Sequence, residues 1–198
     1  MSRFSAFLDT CVLVPIATAD LLLRLAEAGL FRPLWSSAIL DELERTLVAV
    51  HPDLASGGAS RRVEQMSTAF IDAQVSGWEP IAEPLALPDP DDNHVLAAAI
   101  AGRADIIVTN NIRHFPHSVL HQHGLEAQSL DDFLLNQLDL RRDATLMVLA
   151  EQARAARRPP LSQAELLRHL DRSGAPGFAA EAATQLWRTQ PSARRGMS

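Results

Sequence analysis

The chain has 198 residues, is 47% hydrophobic and 21% charged, and carries a formal net charge of −6. That balance is globular, and the length suits one α/β domain with an appendage. All 18 basic residues are Arg, which excludes a Walker-type phosphate loop and Schiff-base chemistry, both of which need a Lys; the sole Cys, Cys11, excludes an internal disulfide and a Cys-based zinc centre.

Residues 3–9 read as a first strand, and the run Phe4-Ser5-Ala6-Phe7-Leu8 is too apolar for a sheet edge. Residues 13–30 have helical spacing at Leu21, Leu22, Leu23 and Leu25 and close on Gly29. Residues 30–35 suit a short second strand. Ser37–Val50 is an amphipathic helix stopped near His51-Pro52, and 56–60 is a Gly/Ser-rich loop. Residues 61–75 are helical, and 78–83 form a short strand or loop. The Pro- and Asp-rich stretch 84–92 leads into a helix over Asn93–Ala101. Residues 105–110 are a further buried strand and 126–130 a last edge strand. Strands alternating with helices predict a parallel, layered α/β domain.

After about residue 131 the strand signals vanish. Helices are expected over 131–140, 145–156 and 178–187, with breaks at Pro159-Pro160 and 174–177 and frayed residues at the end. Ser162-Gln163-Ala164-Glu165 reads as a capping box ahead of Leu166-Leu167. The division is therefore a domain over residues 1–132 and a helical extension over 133–198. Residues 141–198 hold ten Arg against five acids, a net of +5, whereas 1–140 hold eight Arg against nineteen acids, a net of −11. Such asymmetry points to different partners for the two parts, or to a tail docked on an acidic body. The apolar positions Leu166, Leu167, Leu170, Phe178 and Trp187 are expected to pack. With no apolar segment of membrane-spanning length and no signal-peptide pattern, the sequence predicts a cytoplasmic protein without a membrane partner.

Three acids stand where such a fold gathers its ligands. Asp9 ends the first strand, Asp92 opens the helix at 93, and Glu42 rides beside the stripe Ile39-Leu43-Leu47. In an open parallel sheet the ligand crevice lies outside the carboxyl ends of the strands. Carboxylates meeting there repel one another unless a cation joins them, and hard oxygen ligands suit Mg²⁺ or Mn²⁺. Each acid also has a plain reading: Asp9 as a turn residue, Asp92 as a helix cap, Glu42 as part of a solvated charge run. Asp92 shares a face with Val95, Leu96 and Ala99, so its carboxylate points inward and needs a partner. Asp89 reads as loop geometry, and His94 and His114 as hydrogen-bonded surface residues. The polar cluster Thr109-Asn110-Asn111 ends the second buried strand.

These residues carry a resemblance. Leu8-Asp9-Thr10-Cys11-Val12-Leu13, the helix Ser37-Ala38-Ile39-Leu40-Asp41-Glu42-Leu43, the run Asp89-Pro90-Asp91-Asp92-Asn93-His94-Val95-Leu96, and Val108-Thr109-Asn110-Asn111-Ile112-Arg113-His114-Phe115-Pro116 are together similar to PIN-domain ribonucleases, a group that includes VapC-type toxins of bacterial toxin–antitoxin pairs. The resemblance covers about residues 3–132. It implies a parallel sheet flanked by helices and a metal-dependent endoribonuclease. Asp9, Glu42 and Asp92 would hold Mg²⁺ or Mn²⁺, completed by Thr109 and Asn111. It also implies an RNA substrate and an antitoxin partner, and leaves a homodimer open. Two positions depart from the family pattern: Asn111, where the family often has an acid, and His114, where Asp commonly precedes the Phe. A non-catalytic RNA- or protein-binding module is the alternative. A dehalogenase-like phosphatase fits poorly, because Cys11 stands where its second Asp belongs.

Overall fold

An apolar run without alternation has no face for water, and the chain places it in the middle of a sheet. The computed structural model describes residues 4–156 and 160–189. Strand β1 (Ser5–Leu8) is buried along its length. It pairs in parallel with β2 (Arg32–Ser36) on one side and β4 (Ile106–Val108) on the other. β3 (Gln74–Val75) adds to β2 and β5 (Glu126–Gln128) to β4, both parallel, giving the order β3-β2-β1-β4-β5. The chain winds outward from β1 through β2 to β3, then returns to place β4 on the other side of β1. That reversal opens a crevice at the carboxyl ends of β1 and β4.

Helices α1 (Thr10–Leu13), α2 (Ile16–Glu27), α3 (Ser37–Val50), α4 (Gly58–Ala69), α5 (Glu79–Ala82), α6 (Asn93–Ala101) and α7 (His117–Leu120) connect the strands. α3 keeps its expected bounds because its ends are chemically marked. The Ser36 hydroxyl accepts the Ile39 N–H at 3.3 Å, and Pro52 cannot continue the ladder. Phe7, Leu8, Leu13, Trp35, Leu43 and Leu96 are fully buried. Each such side chain contributes about 1.5–3 kcal/mol of transfer free energy.

Several expectations differ. The long helix begins only at Ile16, because Pro15 separates it from α1. The Gly/Ser stretch is not a loop throughout: Gly57 takes φ 92°, which suits a glycine, and α4 starts at once on Gly58. α4 stops at Ala69 and β3 follows after a 3-10 turn, whereas 78–83 contains α5, a single turn closed onto the Trp78 carbonyl.

The chain divides into two compact units, Met1–Leu130 and Asp131–Ser198. The described part of the second is helical: α8 (Leu130–Leu140), α9 (Arg142–Ala155), α10 (Gln163–Arg172) and α11 (Pro176–Thr189). The capping box forms, with the Ser162 hydroxyl accepting the Glu165 N–H and Glu165 Oε2 accepting the Ser162 N–H. Leu166, Leu170 and Phe178 are buried, whereas Trp187, expected to pack, is exposed. Arg3, Pro159 and the residues after 189 lie outside the described part, and the readings made there with them.

The start of α11 is capped from another helix of the same unit. Asp131 accepts the backbone N–H of Gly177 at 2.9 Å and of Phe178 at 2.7 Å. A Cβ on Gly177 would lie 2.8 Å from that carboxylate, so a larger residue would have to push the cap aside. Asp131→Ala is expected to destabilise this unit by roughly 1–2 kcal/mol, the range for losing a charged helix cap. Urea unfolding measures it, and an unchanged midpoint would show that the cap contributes nothing.

Candidate active site

The register of β1 and β4 builds the centre of the site. Leu8 pairs with Val108, so the next residues, Asp9 and Thr109, leave the two strands side by side. Asp9 N–H still bonds the Val108 carbonyl at 3.1 Å, and Thr109 N–H bonds Gln128 at 3.0 Å. The Thr109 hydroxyl donates to Asp9 Oδ2 at 2.6 Å. Cys11, one turn on, donates its thiol to the same oxygen at 3.1 Å and accepts the Asn110 N–H at 3.2 Å. Asp9 is 5% exposed. Its Oδ2 is thus engaged, while Oδ1 has no hydrogen-bond partner among the described residues.

Asp92 comes from the loop before α6. Although it occupies the cap position, its side chain makes no capping bond. Its Oδ2 instead lies 2.7 Å from His114 Nδ1. Burial pushes the Asp92 carboxyl above the usual aspartate range; the His114 bond opposes this, and the charge of Asp9 adds to it. Asp9 and Asp92 therefore act on one another electrostatically.

Glu42 reaches the region through a different neighbour: its carboxylate lies 3.8 Å from His94 Nε2, two residues past Asp92. The other His94 nitrogen is buried without a partner among the described residues, and the ring lies 6.0 Å from that of Trp78. Asn111 donates its backbone N–H to the Thr109 hydroxyl at 3.0 Å, and its residue is exposed. Sequence reasoning missed two members. His114, read as a surface residue, sits against Asp92, and Asp89, read as loop geometry, has Oδ2 3.6 Å from the same imidazole nitrogen. The signal that could have found His114 was its place before Phe115, where an acid is common in the similar family.

The donor set suits a divalent cation. Asp89, Asp92 and His114 each offer an atom, all within 4.8 Å of one another. Asp9 lies outside that group but acts on Asp92 through its charge, and the Thr10 hydroxyl, on a residue 3% exposed, is buried without a partner among the described residues. Two ionised carboxylates in partial burial are costly without a counter-charge.

Cys11 is not built as a nucleophile. Burial, and then the Asp9 charge, push its thiol up to about 12. In the metal-free protein it is expected to react with iodoacetamide at pH 8 at least about 100-fold slower than an unperturbed thiol. Alkylation kinetics by mass spectrometry test this, and a rate near that of free cysteine would show the thiol released from Asp9.

Residues 5–113 match the PIN domain family, and residues 130–184 match the VapC50 C-terminal domain. The chain is 45% identical over 91 residues to a Mycobacterium tuberculosis protein named "Putative ribonuclease VapC50". The matched stretch covers 46% of this chain and 53% of that protein, so the chain spans about half the length of the curated relative it matches. No solved structure matches it. Among the described residues no helix is long and apolar enough to cross a membrane. Five parallel strands with Asp9 and Thr109 joined at their carboxyl ends, and a family match over more than half of its length, place this chain in the PIN domain family.

Proposed function

We propose that this chain is a metal-dependent endoribonuclease, the toxin of a toxin–antitoxin pair. The observation that carries the reading is the hydrogen bond between the buried Asp9 and Thr109 at the switch point of the sheet, with the half-buried Asp92 feeling the Asp9 charge. A relative named as a ribonuclease supports RNA as the substrate. The match to the VapC50 C-terminal domain over 130–184 supports a toxin with a helical extension.

In this reading Asp9 and Asp92 hold Mg²⁺ or Mn²⁺, and Glu42 acts at the edge of the site. A divalent ion there supplies positive charge to the scissile phosphate and acidifies water. The chain's own residues orient the oxygens. Thr109 and Cys11 fix the rotamer of Asp9 by engaging Oδ2, which would leave Oδ1 for the ion. In the metal-free protein His114 engages Asp92 Oδ2. Asn111 anchors the turn after β4 through its backbone. The surrounding acidic charge repels RNA, so the ion reverses the local field where the backbone must approach. Arg side chains hold the flanking phosphates.

Cleavage of labelled RNA tests the proposal. It is expected to require Mg²⁺ or Mn²⁺, to stop with chelator, and to resume on adding ion. Cleavage unaffected by chelator would overturn the metal role, and none with any divalent ion would overturn the nuclease reading. For the toxin role, expression without the partner is expected to arrest growth, and the Asp9→Asn variant is expected not to. Equal growth would argue for a non-toxic nuclease.

A further inference from the structure

We infer that His114 is a nitrogen ligand to the divalent ion, together with Asp89 and Asp92, and that it makes the site prefer Mn²⁺ and later first-row ions over Mg²⁺. This rests on the metal-dependent reading above and adds to it a ligand and a metal preference.

The geometry comes first. His114 ends the 3-10 turn Ile112–His114 after β4, and Phe115, buried behind it, anchors that turn. His114 Nδ1 lies 2.7 Å from Asp92 Oδ2 and 3.6 Å from Asp89 Oδ2. Asp89 spends its other oxygen locally, on the Asp91 N–H at 3.1 Å, which leaves Oδ2 facing the imidazole. An ion with bonds of about 2.1 Å to nitrogen and oxygen needs neighbouring ligand atoms about 3.0 Å apart and opposite ones about 4.2 Å apart. The two distances straddle the first figure and all three atoms lie within 4.8 Å of one another, so the groups can close on an ion with small side-chain shifts.

The hydrogen bonds say what must move. Arg113 Nε–H donates to His114 Nε2 at 3.1 Å, so without metal the ring proton sits on Nδ1 and Asp92 accepts it. An ion entering between Nδ1 and the carboxylates takes that proton's place. The proton relocates through solvent to Nε2. Arg113 then loses its acceptor.

The chemistry sets the preference. Carboxylate and water suit Mg²⁺, whereas imidazole suits the first-row transition ions. A histidine here exchanges a negative charge for a neutral nitrogen. It gives up Coulomb attraction, which any divalent ion would use, and gains a bond that Mg²⁺ uses poorly.

The competing role is a hydrogen-bond donor that only positions Asp92. Mn²⁺ titration of the full chain separates the two. Electron paramagnetic resonance follows the free ion, and its pulsed form detects ¹⁴N coupling to bound Mn²⁺. The expected result is bound Mn²⁺ with imidazole ¹⁴N coupling, displaced only by excess Mg²⁺. His114→Ala should lose the coupling and weaken Mn²⁺ by at least about 10-fold, as even an outer partner's loss does, with Mg²⁺ weakened less. His114→Asp should lose the coupling and shift the preference toward Mg²⁺. Coupling absent from the wild type, or persisting in His114→Ala, overturns the inference while binding that depends on Asp9 leaves the nuclease reading standing. No binding of either ion to the wild type overturns both.

Discussion

Replacing Asp9 by Asn is expected to lower RNA cleavage by at least about 100-fold, since losing even an outer partner of a metal ligand costs 10–100-fold. The metal-free fold is expected to survive and to melt at a higher temperature. Both effects follow from the surroundings of Asp9. Its side chain is buried, and its charge raises both the Asp92 carboxyl and the Cys11 thiol. Asn keeps an oxygen to accept from Thr109 and Cys11, so the rotamer is retained. What it removes is the negative charge that opposes Asp92 without metal and holds the ion with it. In a chain of this size the melting temperature rises by roughly 2–4 °C for each kcal/mol relieved. Cleavage assays and thermal melts in chelator provide the test. Most of the wild-type rate remaining would remove Asp9 from the site. A lower melting temperature would mean that its carboxylate is needed to hold the strand ends together.

What the sequence made legible follows the range of the interactions involved. β1 was readable because an unbroken apolar run admits only a strand buried on both faces. α3 was readable because a serine cap and a proline mark its ends. Asp9 and Thr109 were each picked out because they end apolar strands, and parallel register alone brings them together. α5 was not readable: a single turn has no period, and its bonds close on the Trp78 carbonyl. The start of α4 was hidden because glycines that favour loops also serve as the left-handed residue and first turn of a helix. His114 and Asp89 were missed for a third reason. Their nearness depends on two separate loops meeting at the carboxyl end of the sheet, which no local pattern encodes. Helix periodicity set Glu42 only at the border of the apolar stripe, and its neighbour His94, which lies on another element, could not be read from it.

Asp92→Asn is expected to remove a pH-dependent loss of stability from the metal-free protein and to abolish most of its stabilisation by divalent ions. The folded Asp92 carboxyl titrates above its ordinary value, first because burial penalises its charge. Below the unfolded value both states are protonated and the group contributes nothing. As pH rises past it the unfolded chain ionises first and binds fewer protons, so stability falls until the raised folded value is passed. The wild type in chelator should therefore lose melting temperature relative to Asp92→Asn as pH rises past about 4, the ordinary aspartate value, and the gap should level off once the raised folded value is passed. Added Mn²⁺ reverses the balance, because the ionised carboxylate that weakens the empty site now holds the ion. At a free ion concentration 100 times the dissociation constant this linkage is worth about 2.7 kcal/mol. Paired melts of the two proteins across pH, with chelator and with Mn²⁺, measure both effects. Parallel curves in chelator would show that Asp92 carries no burdened charge, and equal stabilisation by Mn²⁺ would show that the ion is held elsewhere. The two outcomes are separable, because the first concerns burial and the charge of Asp9, and the second concerns only where the ion binds.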